Sequence, residues 1–476
     1  MLLNKKKKAI PLLILSLFII LSVTGCSNEQ ESVNSAGQEY AHLGNYEDEP
    51  ESPSVADCPT DQQQCLEVLD CSDRKACVVR KITFDVEACA KSDDRRKCEN
   101  FEKRLKDVTL ISDPYNFVSS PFTDQELTVE FITALQRPWD LEFLPDGSML
   151  LTEKDGEVVQ VKNGEVKKII HDLDVLQLPG TGGLLGLAVD PDFSENNFIY
   201  LDYTYEYFDD FDPDHPYDRR LVNRISRLTF RNGRLEDEVV LLDRIPASLQ
   251  HAGSRLEFGP DGKLYATTGD ADQDAMSQLV SFLGGKVLRI NPDGSVPKDN
   301  PVPGSYVYSL GHRNPQGIAW HPKTGHLYAS EHGPKRYDEI NRIFPGKNYG
   351  WGSYRCDDRS RWGRRKPSGE YVYPVICPKY WNISPSGMEF VSDPESPWYG
   401  SLFVASLRGK HLHRYVFNGD KVEIDEIFYV VDNDFLSAKQ NGRGMSQRIR
   451  DVEYHNGSLY IIGDNSGLLK ITPMSK

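Results

Sequence analysis

From about residue 127 onward, short apolar runs are broken at close intervals by turn signals. Ser148 to Thr152, Val158 to Lys162, Phe198 to Tyr203, Arg224 to Phe230 and Lys263 to Thr268 are rich in β-branched and aromatic residues. Asp-Gly, Asn-Gly and Pro-Asp-Gly separate them, which is the punctuation of strands joined by tight turns. No long segment carries a strong helical period.

The strands recur as a unit. "FLPDGSMLLTEKDGEVVQV" (Phe143 to Val161) reads as a turn, a strand, a second turn and a second strand. "EFGPDGKLYATTGD" (Glu257 to Asp270), "AWHPKTGHLYASEHG" (Ala319 to Gly333) and "EYHNGSLYIIGDNSGLLKIT" (Glu453 to Thr472) repeat it. A sheet built from such units is apolar on both faces, so it must stack on neighbouring sheets, and closing the stack into a ring removes its open ends. The pattern predicts an all-β propeller with four-stranded blades, against the alternative of a pair of β-sandwiches.

The N-terminus changes the compartment. Lys5 to Lys8 precede an apolar run, Ile10 to Leu21, that is short for a bilayer span. Val23-Thr24-Gly25-Cys26 then follows as a lipobox. The reading is a lipoprotein signal over 1–25, lipidation at Cys26 and export to the periplasm or cell exterior on a membrane anchor. Residues 26–54 are polar and too poor in apolar side chains to fold, so they form a tether. The net charge is −16, and loss of the signal removes four lysines and no acids. Nonspecific nucleic-acid binding is therefore not expected.

Cysteine usage agrees with export. Cys58, Cys65, Cys71, Cys77, Cys89 and Cys98 crowd into a module spanning 55–108, with no CxxC pair for zinc and no CxxCH for haem. They read as a disulfide framework whose pairing stays open. Cys356 and Cys377 make a further pair able to pin a long loop. The propeller occupies 109–476.

Four segments of the body carry chemistry. In "LQHAGSRLEFGPDGKLYATTGD", His251 and Asp270 sit at the two ends of one hairpin-like unit. A carboxylate bonded to one imidazole nitrogen leaves the other as a base, whereas a loop histidine and a turn aspartate are the plain alternative. In "LGHRNPQGIAW", Arg313 and Asn314 precede a stiffening proline and suit a carbonyl or carboxylate ligand, or a solvated surface turn. Gly333-Pro334, in "SEHGPKRYDEINRI", presents adjacent carbonyls of the kind Ca²⁺ takes. Arg448 and Arg450, two apart in "SQRIRDVEY", are costly neighbours unless an anion lies between them or water screens both.

Taken together and in this order, these segments resemble the soluble quinoprotein glucose and aldose-sugar dehydrogenase family, which binds pyrroloquinoline quinone (PQQ) and calcium. "LLGLAVDPDF", "DEINRIFPGKNYGWG" and "SPSGMEF" extend the likeness across roughly Leu127 to Pro473. The resemblance implies a six-bladed β-propeller that oxidises an aldose at the anomeric carbon to a lactone and passes electrons to an acceptor of unknown identity. It implies His251 as base, Asp270 as the acid that orients it, and Arg313 facing the substrate oxygen and the quinone. Asn314 and Arg408 fall at cofactor positions, and Arg448 and Arg450 at the pair facing the cofactor's carboxylates. The carbonyls of Gly333 and Pro334 match the protein ligands of calcium.

Two positions depart from the pattern. Thr181 stands before "GGLLG", where the family often has Gln or Glu at the cofactor or substrate. Gln250 precedes the histidine where some members have Asp. The cysteine-rich module also lies outside the shared pattern. A propeller that binds an extracellular protein or glycan, and a metal-dependent lactonase, are the competing functions. The first is opposed by retention of the full site set, the second by a site built of arginines rather than acidic and amide ligands.

Overall fold

The computed structural model describes residues 127–473, apart from 178–179, 209–218, 335–336, 354–370, 378–382, 420, 429–447 and 465–466. It also describes two antiparallel strands upstream, Gln64–Asp73 and Ala76–Phe84. The signal, Cys26, the tether, Cys356 and the rest of the cysteine-rich module lie outside the described residues, so the disulfide framework remains an expectation. No described helix is long and apolar enough to cross a membrane.

Six sheets follow one another along the chain, each a meander. Blade one runs Pro138–Phe143, Met149–Glu153, Glu157–Lys162 and Glu165–Ile169. Blade two runs Leu184–Val189, Phe198–Phe208, Arg219–Arg231 and Arg234–Pro246, and blade three Gly253–Phe258, Leu264–Thr268, Lys286–Ile290 and Val307–Leu310. Blade four has three described strands, Pro315–Trp320, Leu327–Glu331 and Glu339–Ile343, with an isolated bridge from Ile340 to Ile376 beyond them. Blade five comprises Pro385–Phe390, Ser401–Ser406, Leu412–Asn418 and Lys421–Phe428.

Blade six takes Ile449–His455, Ser458–Gly463 and Gly467–Pro473 from the C-terminal end and its outer strand, Leu127–Thr133, from the other end of the body. The first strands of the blades touch in sequence around the ring, and blade six touches blade one. This is a closed six-bladed propeller, sealed by strand pairing between the two ends of the body. Each copy of the sequence repeat begins at the end of a first strand.

One apolar cluster fills each gap between neighbouring blades. Leu141 and Leu151 meet Ile462 and Leu468 between blades one and six, and Leu256 and Leu264 meet Tyr200 and Ile225 between blades three and two. Met388 and Leu402 meet Tyr328 between blades five and four. Full burial of one such aliphatic side chain is worth about 1.5–3 kcal/mol, and here the gain depends on the neighbour being present.

Every first strand carries a register shift near its start, as between Pro138 and Asp140 or between Ile449 and Asp451. A bulge re-aims side chains, and consecutive residues are buried there. Below the bulge the six strands align as Asp140, Gly186, Arg255, Gly317, Gly387 and Asp451, and two residues further as Glu142, Ala188, Glu257, Ala319, Glu389 and Glu453.

Arg255 is the centre of this axis. Its Nη1 binds Asp140 and, at 2.7 Å, Asp451. Its Nε donates to Gln316 O at 3.1 Å, and Asp140 Oδ2 accepts from Leu187 N–H at 2.8 Å. Blade five contributes a glycine, because a Cβ at Gly387 would collide with Asp451. One ionic knot thus joins five blades, and the fifth blade in the ring leaves room for it.

Candidate active site

Strand pairing places the site. The start of each first strand lies beside the end of its second strand, as Gly253 does beside Thr268, Pro315 beside Glu331 and Ile449 beside Gly463. Residues just outside these pairs gather at one mouth of the axial channel. They are His251 and Asp270, Arg313 and His332 to Pro334, and Arg448 and Asp464.

His251 Nδ1 lies 2.8 Å from Asp270 Oδ1. Its Nε2 lies 2.6 Å from Arg313 Nη2. A carboxylate accepts and a guanidinium only donates, so Nδ1 carries the proton and Nε2 presents its lone pair. Asp270 is fully buried, and its other oxygen accepts from Trp351 Nε1 at 2.6 Å. Its backbone N–H donates to Arg313 O at 2.7 Å, which ties the two loops together.

His251 itself holds φ 54°, and a Cβ at Gly269 would collide with its carbonyl, so the close approach needs glycine. Backbone strain of this kind is stored where a side chain must be aimed.

Arg313 Nη1 donates to the carbonyls of His332 at 2.9 Å and Gly333 at 3.2 Å, and its guanidinium lies over Trp351 at 5.3 Å. Burial lowers its pKa from the usual arginine value against the pull of Asp270 and Glu331. Glu331 takes the Arg313 backbone N–H and, through its other oxygen, His312 Nδ1 at 2.9 Å. Asn314 Oδ1 accepts from Gly253 N–H at 3.0 Å, and its amide nitrogen lies 3.4 Å from His332 Nδ1. Burial, then Arg313 and Arg450, push His332 down to about 3, so it stays neutral at ordinary pH. Asp338 accepts from the Gly333 and Ser384 N–H groups at 3.0 and 2.8 Å and is pushed up to about 6 by burial.

The anion between Arg448 and Arg450 is the chain's own Asp464. Arg448 Nε donates to it at 2.7 Å and Arg450 Nη2 at 3.1 Å. Burial raises the Asp464 carboxyl, but Arg450 and Arg448 outweigh it and hold it below the usual range. Arg450 is buried over the Trp139 ring at 4.2 Å, whereas Arg448 is 45% exposed.

The remaining predicted residues lie on loops of the same end. Arg408 is exposed on the turn after Ser401–Ser406. Thr181 does not project freely: its N–H donates to Leu249 O at 2.9 Å and its hydroxyl accepts from Ala252 N–H at 3.3 Å, so it grips the His251 loop. Beneath it, Lys154 Nζ bonds Gly180 O, and burial with Arg137 and Arg450 draws this lysine down to about 8.

Sequence reasoning assigned no role to Trp351, His332, Asp272, Asp464 or Lys154. Trp351 and His332 fall in "NYGWG" and "SEHGP", and Lys154 and Asp464 in copies of the strand repeat.

The mouth keeps unmet hydrogen-bonding capacity. His332 Nε2 and Gln316 Nε2 are buried with no partner among the described residues. Arg313, His332, Gly333, Pro334 and Trp351 line one cavity. Guanidiniums, an imidazole and free polar nitrogens suit an aromatic polyanion, and adjacent carbonyls suit a hard cation.

The family model for glucose/sorbosone dehydrogenases matches residues 135–470. The chain is 31% identical to quinoprotein glucose dehydrogenase B of Acinetobacter calcoaceticus, over 68% of its own length and 72% of the relative's. It is 33% identical to aldose sugar dehydrogenase YliI of Escherichia coli, over 71% and 91%. It also resembles the solved PQQ-bound aldose sugar dehydrogenase of Streptomyces coelicolor, with 29% identity, a TM-score of 0.59 and coverage of 75% of this chain and 100% of that one.

Proposed function

This chain belongs to the glucose/sorbosone dehydrogenase family, and from that membership we propose that it is a PQQ-dependent sugar dehydrogenase that oxidises an aldose at the anomeric carbon to the lactone. The observation that carries the proposal is His251, with Nδ1 on Asp270 and Nε2 within 2.6 Å of Arg313. Bound PQQ with Ca²⁺ supplies a polarised quinone as a two-electron acceptor.

The chain's residues do the rest. His251 Nε2 takes the proton of the anomeric hydroxyl, and Asp270 holds the ring in the required tautomer. Arg313 shifts its bond from Nε2 to the oxygen losing that proton and stabilises the developing charge. Arg448, Arg450 and Arg408 supply counter-charge for the cofactor's carboxylates, Asn314 a polar contact, and the Gly333 and Pro334 carbonyls oxygen ligands for calcium. Thr181 positions the His251 loop, a different role from a direct cofactor bond. The acceptor is a redox partner reached outside the cell membrane, where lipid on Cys26 holds the enzyme.

The test is titration of apoprotein with PQQ in excess Ca²⁺, then an aldose panel with an artificial acceptor dye and mass spectrometry of the products. Quinone binding with lactone formation is expected. Binding with no aldose oxidised overturns the proposal. Anchoring is checked by Cys26→Ser, which should release the protein from the membrane fraction.

A further inference from the structure

We propose that Asp272 is a second positioning acid for His251, sharing the Nδ1 proton with Asp270. The proposal rests on the reading of His251 as the base. Asp272 Oδ1 lies 3.1 Å from His251 Nδ1, so the nitrogen that bonds Asp270 at 2.8 Å has a second carboxylate beside it. The Asp272 backbone N–H also donates to Asp270 Oδ1 at 3.0 Å, which fixes the two acids side by side.

The local backbone is bent to achieve this. Ala271 at φ 52° and Asp272 at φ 59° are consecutive left-handed residues, closed by Gln273 N–H to Asp270 O at 2.9 Å. Neither is glycine, and an alanine in this region costs about 1–2 kcal/mol. An extended chain after Asp270 would carry the next acid away from the ring; the double left-handed turn brings it back.

Asp272 is also held from the other side. Ser248 Oγ lies 2.7 Å from Asp272 Oδ2 and 2.5 Å from Gln250 O. The loop that precedes His251 and the loop that follows Asp270 are therefore pinned to each other through this carboxylate. The charged groups at the ring are Asp270 and Asp272 on Nδ1 and Arg313 on Nε2. Of the two acids, Asp270 is buried and Asp272 is half exposed. Solvent weakens the outer acid, so Asp270 sets the tautomer and Asp272 adds a weaker counter-charge and restrains ring rotation.

The experiment compares Asp272→Asn, Asp272→Glu, Ser248→Ala, Asp270→Asn and the Asp270→Asn/Asp272→Asn double variant. In the reconstituted enzyme, Asp272→Asn should lower kcat about two- to fivefold with little change in KM. The acid limb of its pH–rate profile should move to lower pH, because the imidazolium loses a counter-charge. Asp272→Glu should restore most of the rate. Ser248→Ala, which leaves every charge in place, should give a smaller loss. The double variant should fall below Asp270→Asn alone, since the outer acid still holds the proton when the inner one is gone.

An independent readout is the His251 Nδ1–H resonance in ¹⁵N-labelled apoprotein. It should shift and exchange faster in Asp272→Asn, and persist in part in Asp270→Asn. An Asp272→Asn protein with wild-type kcat, pH limb and Nδ1–H exchange overturns the proposal, as does a loss not recovered by glutamate. If the wild type oxidises no sugar, the functional reading fails, and the apoprotein resonance still decides whether Asp272 holds the proton.

Discussion

Two ionic clusters share the axis of this propeller and differ in what they leave free. Among the described residues of the mouth, His251 Nε2 is held by an arginine that can swing to another oxygen, Arg448 is half exposed, and His332 and Gln316 keep unpartnered nitrogens. In the channel below, Arg255 is almost wholly buried and grips Asp140, Asp451 and the Gln316 carbonyl. Adjacent residues serve the two clusters: Arg450 belongs to the mouth and Asp451 to the knot. Ion pairs alone thus say little about function. What separates a site from a clamp is whether its groups can exchange partners.

Breaking the mouth should give the largest effect. His251→Ala should lower kcat by about 10²- to 10⁴-fold, while PQQ-induced absorbance and the melting temperature stay close to wild type. Breaking the knot should do the reverse. Arg255→Met strands two buried carboxylates and should cost about 3–5 kcal/mol of stability, read by urea unfolding, with kcat of the folded protein at low temperature largely kept.

Asp464→Asn sharpens the contrast, because it removes the internal anion from Arg448 and Arg450. The apoprotein should lose about 1.5–3 kcal/mol, and the thermal shift on adding PQQ should exceed that of wild type. An unchanged shift would mean that these arginines do not meet the cofactor's charge.

A pH-dependent effect lies deeper in the channel, where Glu142, Glu257, Glu389 and Glu453 occupy the same level of four blades. Burial, offset in part by Arg255, lifts Glu257 to about 7, against about 4.3 for an unfolded glutamate. The folded state therefore keeps a proton that the unfolded state has released. Stability from this group is full below the unfolded value and is lost as pH rises through about 7. Glu257→Gln should melt a few degrees above wild type at pH 8 and alongside it below about pH 4, under the unfolded value. A pH-independent difference would assign the effect to packing.

Much of the active mouth could be read from local sequence because its central pair is local. His251 and Asp270 flank one hairpin, so the turn that joins the two strands already fixes their meeting. Arg313 and the Gly333-Pro334 carbonyls follow the same rule in the next blade. Asp464 escaped notice because it looks like an ordinary turn residue and becomes a counter-ion only when its strand pairs with that of Arg450. Asp272 escaped because two left-handed residues at non-glycine positions leave no mark in composition. Thr181 lies on the loop against His251, and its hydroxyl is engaged by backbone.

By itself the chain's pattern determined the strands, their turns and the repeat, since alternation and turn chemistry act over a few residues. It placed His251 and Asp270 at the two ends of one hairpin as well. The tertiary structure alone decided the closure by Leu127–Thr133, the bulges that turn Arg450 and Asp451 to separate tasks, and the knot at Arg255. These join residues of different blades, and a contact between distant segments exists only once the ring has brought them to a common axis.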